Sequence, residues 1–160
     1  MALKKLLALY SGVLKELQSG DLIDPAQITL PGSMAVSSRV VNPADGATYF
    51  WGSCTGVPPD TTGGLQKIYM PRTCTIKKAW VMWSASVAGS NENVSIYIRV
   101  NNTTDYLIAT VGNTNAFKEF INTSLSISIT IGDYIEFKIV CPTWATNPTQ
   151  VGCGGTIYFE

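Results

Sequence analysis

LSISITIGDYIEFKIVC, residues 125–141, decides the fold. In its first half Leu125, Ile127, Ile129 and Ile131 alternate with Ser126, Ser128 and Thr130. In its second half Ile135, Phe137, Ile139 and Cys141 alternate with Tyr134, Glu136, Lys138 and Val140. Between the halves stands Gly132-Asp133, a pair suited to a tight reversal. Period-two alternation of β-branched and aromatic residues with polar ones predicts two half-buried strands joined by a turn. A helix would gather its apolar residues into one stripe at mixed three- and four-residue steps, which strict alternation does not do.

The same texture extends outward in both directions. In NVSIYIRV (93–100), Val94, Ile96, Ile98 and Val100 share one face. In AWVMWSASV (79–87), Ala79, Val81, Trp83, Ala85 and Val87 are expected to point inward. Shorter candidate strands are ATYFW, LQKIYM, YLIATV, FKEFI and the terminal GGTIYF. Short strands separated by Gly, Asn, Pro and Asp turns predict an all-β fold of two packed antiparallel sheets, a jelly roll or another sandwich of about eight strands. The domain is expected over residues 47–160. Residues 25–46, with Pro25, Pro31, Gly32, Pro43 and Gly46, read as a linker, and residues 1–24 as a separate arm.

Composition narrows the chemistry. Hydrophobic residues make up 46% of the 160 and charged ones 14%, with Lys+Arg 11 balancing Asp+Glu 11. No basic stripe exists for nucleic acid or anionic lipid, so neither is an expected partner. The chain has no histidine, which removes Ser-His-Asp and Cys-His catalysis and His-ligated zinc. No apolar run of ~18 residues is present, so no membrane insertion is expected. The start, MALKKLLALYSGVL, mimics an export signal, but Ser11-Gly12 interrupts it and Lys15-Glu16 stand where small cleavage-site residues belong.

The arm combines Leu7, Leu9, Tyr10, Val13, Leu14 and Leu17 with the central dipeptide Ser11-Gly12. An even division around two turn-forming residues favours a hairpin over a helix, since glycine in mid-helix costs ~1 kcal/mol relative to alanine. A lone hairpin is marginal in water. The arm is therefore expected to be completed by another polypeptide, and those six residues are the candidate anchor.

The arm's YSGVLKELQSGDLID (10–24) resembles the short attachment motif of tailed-bacteriophage virion proteins. KIYMPRTCTIKKAWVMWSAS (67–86), GSNENVSIYIRVNNTTDYLIATVG (89–112), GDYIEFKIVCPTWATNPT (132–149) and GGTIYFE (154–160) together look like a jelly-roll domain that recurs in phage structural proteins. The resemblance covers about the last 100 residues well and the first 24 loosely. It implies a jelly-roll sandwich behind an extended N-terminal anchoring arm, a homotrimer, and a place on the virion surface. The partners it implies are a major capsid or tail protein. With no shaft of heptads or repeats, a squat head decoration is favoured over a long fibre. The alternative is a tail tip that binds host surface glycans as a lectin does, with Trp51, Tyr106 and Trp144 as the candidates to stack on sugar rings; the favoured reading of Trp144 is that it pins a long loop onto the sandwich.

Cys54, Cys74, Cys141 and Cys153 are candidates for disulfides or for buried thiols, and no pair has the C-x-x-C spacing of a zinc or redox site. Asn101, Asn102 and Asp105 in NNTTD read as a hydrogen-bonded turn rather than a calcium loop, so neither metal nor cofactor is expected. No carboxylate pair is set up for glycoside hydrolysis: Glu136 is expected on an outward face near Lys138, and Asp133 in a turn. The expectation is a chain without catalytic activity.

Overall fold

The computed structural model describes residues 7–10, 13–16, 31–40, 42–52, 60–90, 92–112 and 117–160, and every described element is a strand. The chain divides into two compact units, residues 1–30 and 31–160.

In the first unit β1 (Leu7–Tyr10) and β2 (Val13–Glu16) pair antiparallel, with Tyr10 opposite Val13 and Leu9 opposite Leu14. This register leaves two residues between the strands, so the arm is a hairpin here and not a helix. Leu7, Leu9, Tyr10, Val13 and Leu14 lie on it. Leu17 lies outside the described residues.

The second unit is an antiparallel sandwich. Its strands are β3 (Gly32–Val40), β4 (Thr48–Trp51), β5 (Ile68–Tyr69), β6 (Cys74–Ser84), β7 (Asn93–Val100), β8 (Thr104–Gly112), β9 (Lys118–Asn122), β10 (Ile127–Ile129), β11 (Tyr134–Val140) and β12 (Val151–Phe159). One sheet runs β10-β6-β12-β3 with β9 also on β6; the other runs β4-β11-β7-β8 with β5 also on β11. The segments β4 and β5 take opposite ends of β11, and β9 and β10 opposite ends of β6. Counted as two interrupted strands, they bring the total to eight. The pairing is then nested: first with last (β3 with β12), second with seventh, third with sixth, and fourth with fifth (β7 with β8). A long hairpin rolled across itself gives this order, which is the jelly roll. Hydrogen bonds of β12 to β6 and of β11 to β7 close the two sheets.

The core lies where the pleat places the alternating apolar residues. Val94, Ile96, Ile98, Ile135, Phe137 and Ile139 from one sheet meet Ile76, Ala79, Val81, Trp83, Cys153 and Ile157 from the other, all buried. Trp51 stacks on Phe137 with ring centroids 5.0 Å apart. Gly155 of β12 faces the same ring across the core, and a Cβ there would overlap the Phe137 side chain. Glycine at 155 thus admits the Phe137 ring.

Three expectations need correction. The linker read over 25–46 ends sooner, because residues 32–40 form the edge strand β3, paired along its whole length with β12. Val87 is exposed, since β6 ends at Ser84 and Val87 makes only an isolated bridge to Thr149. Ile131 is exposed as well, because β10 ends at Ile129 and Ile131 already belongs to the turn before β11.

Candidate binding surface on the outer face of the second sheet

The outward residues of β11 do not all meet solvent. Glu136 has none of its surface exposed, although it stands on the face opposite Ile135 and Phe137. Residues 60–67 cover it, returning over the sheet between β4 and β5. Main-chain bonds in both directions join Asp60 to Phe50, at 2.7 and 2.9 Å. The Asp60 carboxylate accepts from Thr62 N at 2.7 Å and so tightens the reversal. The Gly64 N–H then donates to both Glu136 oxygens, at 2.9 and 3.0 Å.

This approach needs two glycines. A Cβ on Gly63 would overlap the Asn102 carboxamide and stand 3.2 Å from Phe50 Cζ, while Gly64 has φ +86°, which side chains disfavour. Beneath the segment Phe50 is buried, and the Arg99 guanidinium lies 5.2 Å from its ring centroid. Burial raises the Glu136 carboxyl above its ordinary range; the Gly64 N–H, Arg99, the Gln66 backbone and Lys67 oppose that rise.

Beyond Glu136 the face is a charged network. Asp105 accepts from Lys138 Nζ at 2.5 Å and lies 3.5 Å from Arg99 Nε, while Arg99 also donates to the Asn102 carbonyl at 2.8 Å. At the β5 end, Tyr69 stands opposite Tyr134 in the register. Their ring centroids are 5.7 Å apart at 59°, with Lys67 Nζ 4.7 Å from the Tyr134 centroid and 6.0 Å from that of Tyr69. Tyr69 is 61% exposed.

The candidate stacking residues lie elsewhere. Trp51 (1% exposed) and Trp144 (4%) are part of the core and present no ring face to water, and Tyr106 is half-buried against that core. Trp144 pins its loop, where its main-chain N–H donates to the Asp45 carboxylate at 3.1 Å. This corrects the stacking role for Trp51 and Trp144: each ring faces inward. Tyr69, which does face solvent, was missed, as was the half-buried Tyr134 beside it. Their signal was the outward parity of Tyr134 on β11.

Cys74, Cys141 and Cys153 are buried thiols, while Cys54 lies outside the described residues. Burial pushes both Cys141 and Cys153 up to about 12, so neither is a thiolate nucleophile at neutral pH. The NNTTD stretch is a turn bonded to the neighbouring turn before β11: Asn101 donates from Nδ2 to Asp133 at 2.8 Å and accepts from Tyr134 N at 3.0 Å. Among the described residues no group of three or more His, Cys, Asp or Glu could hold a metal ion.

No family model matches the chain, and no curated protein matches it. Solved structures give distant likenesses. One is a structure of infectious bursal disease virus Gx strain, at 14% identity and TM-score 0.44, covering 98% of this chain and 36% of that one. Another is a family 35 carbohydrate binding module from Clostridium thermocellum, at 12% identity and TM-score 0.35, covering 78% of this chain and 98% of that one. A third is FLHE, at 10% identity and TM-score 0.36. The chain spans about a third of the length of the viral chain it matches. The fold assignment rests on the strand pairing itself.

Proposed function

We propose that this chain is a structural protein of a bacteriophage virion, a homotrimeric head decoration or short fibre. Its N-terminal hairpin docks on a major capsid or tail protein, and its jelly roll faces outward. The observation that carries the reading is the division at residue 30: a strand pair that forms its own unit precedes a sandwich with its own complete core. Two strands of four residues do not hold together in water without a surface to pack on. A partner that supplies that surface turns the hairpin into an anchor. The resemblance of residues 10–24 to phage attachment motifs points the same way.

The role is one of binding and assembly rather than catalysis. Both Glu136 oxygens are occupied by the Gly64 N–H, and Asp105 is held between two cations. Neither carboxylate is placed to serve as a free acid or nucleophile.

The test uses purified particles. Antibody raised against residues 31–160 is expected to label their surface, and the double variant Leu9→Asp, Leu14→Asp to be absent from particles while its sandwich melts as in the parent. Unlabelled particles, or normal incorporation of the variant, would overturn the reading. Sedimentation equilibrium of residues 31–160 tests the trimer separately.

A further inference from the structure

Tyr69 poses a question that its packing does not answer. It sits on a two-residue strand whose neighbour Ile68 is buried, yet leaves 61% of its own surface in water. It is not a loose side chain. Its backbone is paired with Tyr134, and the two rings contact at a fixed tilt. Ile131 is also exposed nearby. The turn that holds Ile131 is bonded to Met70, the residue after Tyr69, through Gly132 N to Met70 O and Met70 N to Asp133 O.

Polar groups converge on the same place. Lys67 Nζ lies against both rings. The Tyr134 hydroxyl and the Asn102 carboxamide nitrogen stand 3.5 and 3.6 Å from the point where a Cβ on Gly64 would be. The phenol and the amide thus lie side by side next to Gly64, and the ammonium lies over the ring of the same phenol.

We propose that Tyr69, Tyr134, Lys67 and Asn102, beside Gly64, form a saccharide-binding shelf. A pyranose has an apolar C–H face and a rim of hydroxyls. The first fits the open ring of Tyr69, and the second fits the amide, phenol and ammonium donors. Lys67 adds attraction for sugars that carry a carboxylate. The tyrosines are fixed before any ligand arrives, which lowers the ordering cost of binding. A stable protein partner would need ~800 Å² on each side, more than these few side chains offer. The shelf does not depend on the virion role, because it would bind sugar on a free chain as well as on a particle.

The experiment takes the full chain to a printed array of neutral and carboxylate-bearing oligosaccharides, then titrates the best soluble binder by NMR. Binding is expected, with shift changes centred on residues 64–69, 102 and 134. Tyr69→Ala is expected to weaken binding at least tenfold, Tyr69→Phe to retain most of it, and Lys67→Ala to weaken carboxylate-bearing ligands more than neutral ones. Tyr158→Ala, on the other sheet, is expected to bind as the parent does. Melting curves show that each variant is folded. No array signal, shifts centred elsewhere, or a folded Tyr69→Ala that binds like the parent would each overturn the shelf. Particle labelling would still decide the virion reading on its own.

Discussion

The two sheets have the same pleat and meet the same core, but their outer faces end differently. On β11 and β4 the outward Glu136 and Phe50 lie buried under residues 60–67. On the sheet that contains β6, β9 and β12, the outward Ile121 is 68% exposed. There a shallow groove of about 220 Å³ runs between Ala35, Ser37, Trp80, Met82 and Thr156 over Gly154. Alternation assigns a residue to a face, but what crosses that face decides its burial. Gly63 and Gly64 allow the chain to lie flat on one sheet, while in the other Gly154 lets the Met82 side chain lie close over the strand, and no described segment covers the groove beside it.

The largest expected effect comes from breaking the bare sheet at its edge. A chain of residues 47–160 lacks β3 and leaves nine positions of β12 without their partners. It also loses Met34 and Val36, which pack against the core. Residues 31–160 are expected to unfold cooperatively in urea. Residues 47–160 are expected to give no cooperative transition, or to aggregate through the opened edge. Equal midpoints for the two would show that β3 adds nothing.

The covered face is tested next. Phe50→Ala removes a buried ring between Arg99 and the 60–64 segment, and is expected to cost ~3–5 kcal/mol in chemical denaturation. A cost below ~1 kcal/mol would mean that the segment does not seal the face in solution.

A smaller effect depends on pH. Because the folded Glu136 carboxyl is raised above its ordinary value of 4.5, the native state holds that proton more tightly than the unfolded chain. Folding therefore takes up protons above the ordinary range, and stability falls as pH rises through the folded value. Asp133 and Glu92 are lowered, chiefly by side-chain hydrogen bonds from Asn101 and Ser90 respectively. What they contribute is lost as pH falls through their own folded values. The parent is expected to be most stable between the two regions. Glu136→Gln keeps an acceptor for Gly64 N and is expected to flatten the upper slope, with a change at neutral pH within ~1 kcal/mol. An unchanged upper slope, measured by urea denaturation across pH, would assign it to another group.

Most of the sandwich was legible because half-buried antiparallel strands carry their parity in the sequence. Residues 94–100 and 135–141 lie as the alternation predicts. β3 was not legible because GSMAVSSRV is an edge strand bracketed by Pro31 and Pro43, where Ser is tolerated and half-burial weakens the contrast. Nor did the sequence carry cross-strand register. Trp51 and Tyr69 both end short strands on β11, yet Trp51 meets Phe137 and turns inward, while Tyr69 meets Tyr134 and turns outward. The parity of β11 was readable, but which of its residues each aromatic would oppose was not. A bulge in the β6–β12 pairing also moves the buried set of β6 from Cys74 and Ile76 to Ala79, Val81 and Trp83, a shift that alternation by itself would not predict.

The mirror of Phe50 is Ile121, and the effect expected there is the smallest. Both are large apolar residues on an outer sheet face, and Ile121 stands opposite Trp80 in the register. Its side chain is mostly in water, so Ile121→Ala removes little buried surface and is expected to change stability by less than ~0.5 kcal/mol. Both stand outward on short strands, so the contrast weighs a covered position against an uncovered one. Sedimentation velocity of the full chain, run beside the denaturation series, makes the comparison complete. A loss near that of Phe50→Ala, together with a slower-sedimenting species, would mean that a second copy covers this face in solution, and the difference between the two sheets would then belong to the single chain alone.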